Sequence, residues 1–414
     1  MDEAKQKIRL TSLERAWILY DVGNSAFVLL VATLIPIFFN ALAEGGGLSS
    51  VEYLAYWGYA ASAVTVITAV LSPILGTLAD TRNFKKPIFT FCVAVGVIGC
   101  CAMGMASTWL PFLLIFIFAK VGFSGSLVFY DSMLSDVTVP DRMDEVSSKG
   151  YAWGYIGSCV PFVVCLALVL GAGSIGISQM TALNLALFIT AAWWLVTTLP
   201  LLRQYKQVHF VEVQEHAIRQ SFARIGHTLR HLKEDRQVFW FLLAFFCYID
   251  GVYTIIDMAT AYGTALGLDT TGLLLALLVT QIVAFPSALV FGRLSGQYPS
   301  GTLIPVCIAA YAGIALFAFF LKHQWQFWVL AVVVGMFQGG IQALSRSHFA
   351  KIIPPEKSGE YFGLFDICGK GASFLGTMIV SVGSQLTGSA NVGVGSLIVL
   401  FIVGFVLFRV SDRK

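Results

Sequence analysis

Charged side chains are scarce in this chain. Asp, Glu, Lys and Arg make up 12% of its 414 residues while the hydrophobic fraction is 57%, whereas soluble domains carry roughly 25% charged residues. The mean hydropathy is +0.80. A soluble fold cannot hide that much apolar surface, because its surface-to-volume ratio limits burial, but a bilayer accepts it. The composition excludes an ordinary soluble domain and predicts an integral, multi-pass membrane protein.

The chain also lacks the patterns of a cleaved leader, a metal site and a hydrolytic site. The first apolar segment, 16–43, is too long for a signal peptide and has no cleavage-type end, so we expect a first span there. The eight cysteines lie in apolar segments without the spacing of metal ligands, and we expect free, packed thiols. No His/Asp/Glu set and no Ser–His pair falls within one span. We therefore expect no metal, no cofactor and no catalytic residue.

Apolar runs long enough to cross a bilayer, about 20 residues each, recur along the whole chain. Transmembrane β-strands would be shorter and alternating. The runs predict an all-α membrane protein with twelve transmembrane helices, near 16–43, 53–80, 87–108, 109–136, 149–170, 181–202, 237–267, 271–297, 301–321, 325–353, 359–386 and 391–409.

Lysine and arginine lie almost entirely on one side of the predicted bundle, and the opposite loops contribute almost only Lys322. Basic loops stay in the cytoplasm. We therefore expect both termini to be cytoplasmic, in a bacterial cytoplasmic membrane. The termini and every second loop, besides 203–236, supply Lys5, Lys7, Arg9, Arg15, Arg82, Lys85, Lys86, Arg142, Lys149, Lys351, Lys357, Arg413 and Lys414.

A polar stretch, 203–236, divides the chain into two six-span halves, 1–202 and 237–414. The halves resemble each other weakly, as in Tyr20-Asp21 of the first span and Tyr248-Ile-Asp250 of the seventh. Such duplication is usual in secondary transporters, with the site between the halves near the midplane. The stretch itself predicts a basic amphipathic linker helix on the anionic leaflet, with partner binding as the alternative, from the 4-3-4-3 spacing of Ile218, Phe222, Ile225, Leu229 and Leu232.

Ionisable residues inside the predicted spans are few, and each costs several kcal/mol unless it faces a partner or water. In the seventh span Asp250 shares one helix face with three further polar residues at i+3, i+4 and i+7, which indicates an aqueous path. A buried carboxylate can exchange protons near neutral pH. We therefore predict that Asp21 and Asp250 couple protons or hold a substrate amine, with a structural hydrogen bond as the alternative. The full set is Asp21, Lys120, Asp131, Asp250, Asp257, Arg346, Asp366 and Lys370.

Lys120 lies close to the midplane of the fourth span, too deep to reach water easily. Its ammonium needs an anion, which can be a substrate carboxylate or phosphate or an internal carboxylate. Both remain open. With Lys120, the predicted substrate-binding residues are Asn24, Tyr253, Gln338 and Gln342.

A second group of charges is predicted to act as gates near the cytoplasmic ends of the spans. Asp80 follows the second span, where the helix dipole disfavours a carboxylate unless cations such as Arg82 or Lys85 meet it. Asp366 and Lys370 stand at i and i+4, where opposite charges pair. The predicted gating set is Asp80, Arg82, Asp131, Arg346, Asp366 and Lys370.

Several of these residues belong to motifs that resemble known transporters. The loop from Gly76 to Arg82 resembles the signature loop of the major facilitator superfamily, with Asn83 and Phe84 where a glycine and a basic residue are common. Segments 17–27, 128–134, 248–255 and 339–350, the last continuing through Pro354-Pro355 to Gly369-Lys370, resemble the vacuolar amino-acid effluxers of that superfamily. Lys120 falls on no motif of the group; the residues that do are Asp21, Asn24, Asp250, Gln342, Arg346 and Lys370.

The resemblance implies the major facilitator fold of two pseudo-symmetric six-helix bundles, alternating access, a monomer, and export of small amino-acid-like solutes. We therefore predict a secondary active transporter, proton-coupled or facilitative, and not an enzyme. Its partners would be the lipid bilayer, protons and a small-molecule or lipid-like substrate, without nucleic acid. A lipid or glycolipid flippase of the same fold is the alternative, and a non-transporting receptor or scaffold a more distant one.

Overall fold

The computed structural model describes residues 9–212, 235–265 and 269–412. These residues are almost entirely helical, with short 3-10 turns at Pro140–Arg142, Ala172–Ile175 and Pro355–Lys357. The helices are α1 (Ser12–Ala32), α2 (Leu34–Gly45), α3 (Ser50–Ala79), α4 (Lys85–Met103), α5 (Trp109–Ser132), α6 (Leu134–Val137), α7 (Met143–Leu170), α8 (Gln179–Gln204), α9 (Arg236–Ala265), α10 (Thr270–Leu294), α11 (Ser300–Phe319), α12 (Gln324–Ile352), α13 (Ser358–Thr387), α14 (Ala390–Gly395) and α15 (Ile398–Ser411).

Eleven stretches of the described residues are long and apolar enough to cross a membrane. Helix α13 is a further helix of 30 residues, and at a rise of about 1.5 Å per residue it also exceeds the thickness of a bilayer core. With α13, the helices account for the twelve predicted spans, and the predicted all-α fold class is confirmed.

The first and last predicted spans each consist of two helices. Helix α1 begins with a capping box in which Thr11 and Glu14 satisfy each other's backbone N–H groups. It ends at Ala32 because Pro36, four residues on, has no N–H to donate to the carbonyl of Ala32. Thr33 carries the bend with φ −129° and ψ −72°. The fifth predicted span also differs, since α7 begins at Met143, six residues earlier than predicted.

The helices pack first within each half of the chain and then across the two halves. In the first half α1 packs on α7 and α8, and α4 packs on α5. In the second half α9 packs on α13 and α15, and α10 on α12. The halves meet where α3 packs on α13 and where α7 packs on α10 and α12. The domain boundaries of the sequence analysis stay a prediction, and the predicted linker helix falls on 213–234, outside the described residues.

The contacts that join the halves gather towards one end of the bundle. This end, here called the basic face, contains the start of α1, the α3–α4 and α5–α7 turns, and the turn between α12 and α13. Near it, two hydrogen bonds join the halves: the Gly359 N–H donates to Asp80, and the Lys351 ammonium donates to Asp144. The opposite end, the distal face, contains the α4–α5 and α11–α12 turns. We keep the cytoplasmic location of the basic face as a prediction.

Candidate functional site

Arg346 of α12 is the centre of the contact between the halves. Its side chain is only 2% exposed, and its guanidinium lies 3.0 Å from Asp131 Oδ1 and 3.6 Å from Asp21 Oδ2. Its Nε donates to Ser147 Oγ at 2.9 Å. A buried guanidinium is tolerated only when carboxylates and acceptors meet its donors. Arg346 therefore ties the second half to α1, α5 and α7 of the first.

Aromatic rings surround the Arg346 guanidinium. Its carbon lies 4.7 Å from the Trp17 ring, 5.3 Å from Tyr130 and 4.3 Å from Tyr151. Trp17 and Tyr130 also stack on each other with centroids 4.3 Å apart. Arginine combines such cation–π contacts with ion pairing because its charge is planar and weakly hydrated. The three rings fill the space around the guanidinium.

Asp21 belongs to this network, although the sequence predicted it as a proton-coupling residue or a ligand of a substrate amine. Its Oδ2 accepts the Tyr130 hydroxyl at 3.1 Å, and its Oδ1 lies 3.5 Å from the amide of Asn24. Gly150 of α7 makes room for it: a Cβ at that glycine would lie 2.9 Å from Asp21 Oδ2 and 3.1 Å from Arg346 Nη2. The structure thus places Asp21 and Asn24 beside the predicted gating residues.

Asp80 forms a second contact between the halves. Its two carboxylate oxygens accept the backbone N–H groups of Gly359 and Glu360 at 2.7 and 2.8 Å. These are unpaired donors of the first turn of α13, where the helix dipole also favours a negative charge. Gly76 allows the approach, because a Cβ there would collide with the carbonyl of Gly359. The sequence predicted a gating role for Asp80 but only cationic side chains as its partners.

Lys85 is the cation beside Asp80, while Arg82 points elsewhere. The Lys85 ammonium lies 3.9 Å from Asp80 Oδ1, and it donates to Ser358 Oγ of α13 at 2.8 Å. Arg82 forms an exposed ion pair with Glu212 at 3.5 Å. A lysine that is fully buried needs such partners. The sequence indicated Lys85 as a possible partner of Asp80, but Arg82, and not Lys85, stands in the predicted gating set.

Asn83 in the same turn explains one departure from the superfamily loop. Its φ of 66° lies in the left-handed region. Glycine adopts that conformation freely, and asparagine is the side chain that best tolerates it. The chain therefore keeps the turn without the glycine that is common at this position.

A third contact, around Asp144 of α7, was missed by sequence reasoning. The carboxylate accepts Ser347 Oγ at 2.6 Å and the Lys351 ammonium at 2.6 Å, both from α12. Asp144 follows the proline turn at Pro140 in sequence, where an acidic residue has the pattern of a solvated loop. Only the packing of α7 on α12 shows that it joins the two halves.

The remaining residues of the predicted gating set lie along α13. Asp366 Oδ2 accepts the hydroxyl of Ser72 from α3 at 2.7 Å, a further bond between the halves. The backbone of Lys370 lies in α13, but its side chain is outside the described residues. The predicted pair of Asp366 and Lys370 stays a prediction.

Apart from Asn24, the predicted substrate-binding residues lie further along the helices from the basic face. Gln342 accepts the Tyr155 hydroxyl at 3.0 Å, and Gln338, one turn away on α12, is 6% exposed. The Lys120 ammonium lies 4.8 Å from the centre of the Phe123 ring and 6.0 Å from that of Phe27.

The polar residues of α9 have two different environments. Asp250 is fully buried, and its Oδ1 accepts the Gly376 N–H at 2.9 Å and the Thr254 hydroxyl at 3.3 Å. Asp257, two turns away, is exposed and lies within electrostatic range of the Lys120 ammonium of the first half. The polar residues of α9 therefore do not share the single aqueous environment expected from the sequence. Asp250 packs against α13, and Asp257 with half-buried Tyr253 remains open to solvent.

A small apolar cavity of about 50 Å³ lies inside the second half. Helices α9 to α13 and α14 enclose it, with Thr254, Tyr262 and Thr280 among mostly aliphatic side chains. It is separate from the contacts between the halves. Among the described residues, no group of three or more His, Cys, Asp or Glu side chains is placed to hold a metal ion.

A family model identifies the protein family of the chain. A family model described as "Vacuole effluxer Atg22 like" matches residues 12–138 and 135–414. The chain belongs to the Atg22-like effluxer family. The resemblance predicted from its motifs is thereby confirmed.

The chain has individual relatives among bacterial and fungal proteins. It is 42% identical over 404 residues to YxiO of Bacillus subtilis (strain 168), an uncharacterised transporter of the major facilitator type, covering 96% of this chain and 94% of that one. It is 25% identical over 315 residues to autophagy-related protein 22 of Coccidioides immitis (strain RS), covering 65% of this chain and 51% of the relative. The chain therefore spans about half the length of that fungal relative.

Solved structures show the fold of the chain. FucP, the fucose:proton symporter of E. coli, matches in its outward conformation with a TM-score of 0.72 at 16% identity, over 97% of this chain and 98% of FucP. At that identity the match carries the fold alone. The protein is thus a multi-pass membrane protein with the major facilitator fold, and its relatives and structural neighbours are transporters.

Proposed function

We propose that this chain is a secondary active transporter that exports small solutes, such as amino acids or related zwitterions, in exchange with protons. The observation that carries the proposal is the Arg346 network, a set of breakable ion pairs between two helical halves. A ligand biases a two-state element only through contacts that differ between the states. Ion pairs that exist only when one face is closed supply such a difference.

The alternating-access step follows from where the inter-half contacts lie. Arg346 with Asp131, Asp80 with the start of α13, and Asp144 with Lys351 all join the halves towards the basic face. The structure is proposed to be the state closed at that face. Opening it would break these contacts together, and closure at the distal face would have to compensate for their loss.

The proposed substrate site lies beyond the Arg346 network, towards the distal face. Lys120 of the first half and Asp257 of the second present opposite charges across the halves. A zwitterion satisfies both at once, its carboxylate at Lys120 and its amine at Asp257. The Phe123 ring beside the ammonium offers a face for an apolar substituent. Gln338 and Tyr253 would add hydrogen bonds to the polar groups.

Proton coupling is proposed to reside at Asp250. Its Oδ2 is buried without a hydrogen-bond partner among the described residues, while Oδ1 is bonded to Gly376 and Thr254. An ionised carboxylate in that position would be an uncompensated buried charge. We therefore propose that Asp250 is protonated in this state and releases its proton when α9 and α13 rearrange.

The test begins with substrate-dependent thermal shifts of the purified protein against amino acids, peptides, sugars and lipids at two pH values. Flux of the best ligand is then measured in proteoliposomes with and without a pH gradient. We expect Asp250→Asn to abolish the effect of the gradient, and Asp141→Asn, an exposed acid in the α6–α7 turn, to preserve it. Gradient-dependent flux in Asp250→Asn would contradict the coupling role.

Two outcomes of the same experiments would favour other functions. Scrambling of headgroup-labelled lipids without solute flux would indicate a flippase of this fold. Absence of both flux and ligand-induced stabilisation would indicate a receptor or scaffold. The predicted monomer is checked by the mass of the detergent-solubilised protein. The cytoplasmic location of the basic face is checked by introducing a cysteine near Lys322, on the distal face, which should be labelled from outside intact cells.

A further inference from the structure

The segment that follows α8, residues 205–212 and here called the linker base, is attached to the turn between α3 and α4. The Val211 N–H donates to the carbonyl of Asp80 at 2.8 Å. The Gln207 side-chain amide donates to the carbonyl of Ala79 at 3.0 Å. The last carbonyls of a helix have no partner within it, so the linker base caps the end of α3.

Asp136 of α6 is the second attachment of the linker base. Its fully buried Oδ1 accepts the N–H groups of Val208 at 3.2 Å and His209 at 2.8 Å, and His209 Nδ1 lies 3.0 Å away. Its Oδ2 accepts the Tyr205 hydroxyl at 2.5 Å. Burial and the neighbouring carboxylate raise the pKa of the Tyr205 phenol well above its ordinary value. The hydroxyl therefore remains a donor throughout the physiological pH range.

Asp136 also faces the gate. Its Oδ2 lies 3.6 Å from the ammonium of Lys85, the same ammonium that lies 3.9 Å from Asp80 and donates to Ser358 Oγ at 2.8 Å. Ser358 begins α13 in the other half. A continuous chain of polar contacts thus leads from the linker base through Asp136 and Lys85 to the second half of the protein.

We infer that the linker base is part of the basic-face gate, and that Asp136 is a positioning residue that transmits its attachment to Lys85 and to the start of α13. While the linker base is bound, its donors fix the carboxylate, and the Lys85 ammonium can donate to Ser358. If those donors leave, the buried carboxylate has to draw on Lys85 instead. The ammonium then moves away from Ser358, and the first turn of α13 loosens.

The attachment of the linker base to Asp136 offers a point at which transport could be controlled. In the sequence, residues 213–234 join the linker base to the second half. Anything that pulls the linker base from Asp136 would favour opening of the basic face without touching the substrate site. Tyr205 and His209 are the side chains at which this attachment can be weakened one bond at a time.

The test uses hydrogen–deuterium exchange of the purified full-length protein and needs no substrate. Tyr205→Phe keeps the buried ring and removes one donor, and His209→Ala removes the imidazole. Each lost bond to a carboxylate should speed exchange of the first turn of α13, 358–362, roughly ten-fold. Lys206→Gln changes an exposed side chain of the same segment and should change nothing.

The pattern of exchange separates a positioning role from a merely structural one. Faster exchange at 358–362, with the distal ends of α4 and α5 unchanged, is the expected result. Faster exchange confined to 205–212 and the α3–α4 turn would overturn the inference. So would a uniform increase over the whole protein, which would indicate general destabilisation. Because Tyr205→Phe retains the aromatic core packing, the test does not depend on the His209 variant being folded.

Discussion

The ion pair between Arg346 and Asp131 gives a quantitative forecast of how easily the halves separate. Asp131→Asn removes the charge and keeps the shape of the side chain. The substitution destabilises the state closed at the basic face, where the guanidinium is 2% exposed and 3.0 Å from the carboxylate. It should not affect an open state in which water solvates both groups.

The magnitude follows from the burial of the pair. Removing one partner of a fully buried ion pair costs about 3–5 kcal/mol. Asp131 is one-fifth exposed, and Asp21 remains 3.6 Å from the guanidinium, so we take about 2–3 kcal/mol. Since about 1.4 kcal/mol is a factor of ten, the open population should rise roughly 30- to 150-fold while it remains the minor state.

The assay is alkylation of a cysteine placed between the halves. Ser148 of α7 is fully buried, and Gly292 of α10 packs against its Cβ, so Ser148→Cys should react with a maleimide only when the basic face opens. We expect Asp131→Asn to raise the alkylation rate by the factor given above. Asp141→Asn, an exposed acid in the preceding turn, is the matched control. An unchanged rate in Asp131→Asn would refute the role of the ion pair.

Three further substitutions test other parts of the account. Gly76→Ala should raise the alkylation rate in the same assay, because the new Cβ would meet the carbonyl of Gly359. Gly58→Ala, with open space around it, should leave the rate unchanged. Equal rates in the two variants would contradict the close packing at Gly76. Asn83→Val should lower the free energy of unfolding by about 1–2 kcal/mol, because β-branched residues resist a φ of 66°. Asn83→Gly should leave the free energy of unfolding unchanged. Lys120→Gln should weaken binding of a zwitterionic ligand by roughly ten-fold or more and leave binding of its carboxamide unaltered; equal losses for both ligands would exclude a carboxylate at Lys120.

The sequence predicted which charges lie in the membrane better than it predicted their partners. Arg346, Asp131 and Asp21 were all recognised from their depth in apolar spans, but spacing along the chain cannot show that one guanidinium faces both carboxylates. One partner of Asp80, Lys85, was among the cations named from the sequence. Its other partners, two backbone N–H groups of α13, could not be predicted, because any residue except proline would provide them at that place.

Other residues were missed because their local sequence was misleading. Asp136 and Asp144 lie near a turn with a proline, where acidic residues are usually solvated, yet both are buried: Asp136 contacts the linker base, and Asp144 contacts α12. Asp21 and Asp250 looked equivalent by internal repetition. Their environments differ, since Asp21 meets a guanidinium and Asp250 meets an amide N–H and a hydroxyl. In each case residues distant in the chain form the environment of the carboxylate, and the local sequence does not show them.

Distances between the two halves, measured by electron spin resonance at both faces of one protein, test alternating access most directly. Label pairs at Thr90 and Arg409 would report on the basic face, and pairs at Leu110 and Trp325 on the distal face, all exposed positions in a background without native cysteines. We predict that Asp131→Asn lengthens the first distance and shortens the second. Distances that change in the same direction, or not at all, would contradict a transporter whose halves rock about a central site.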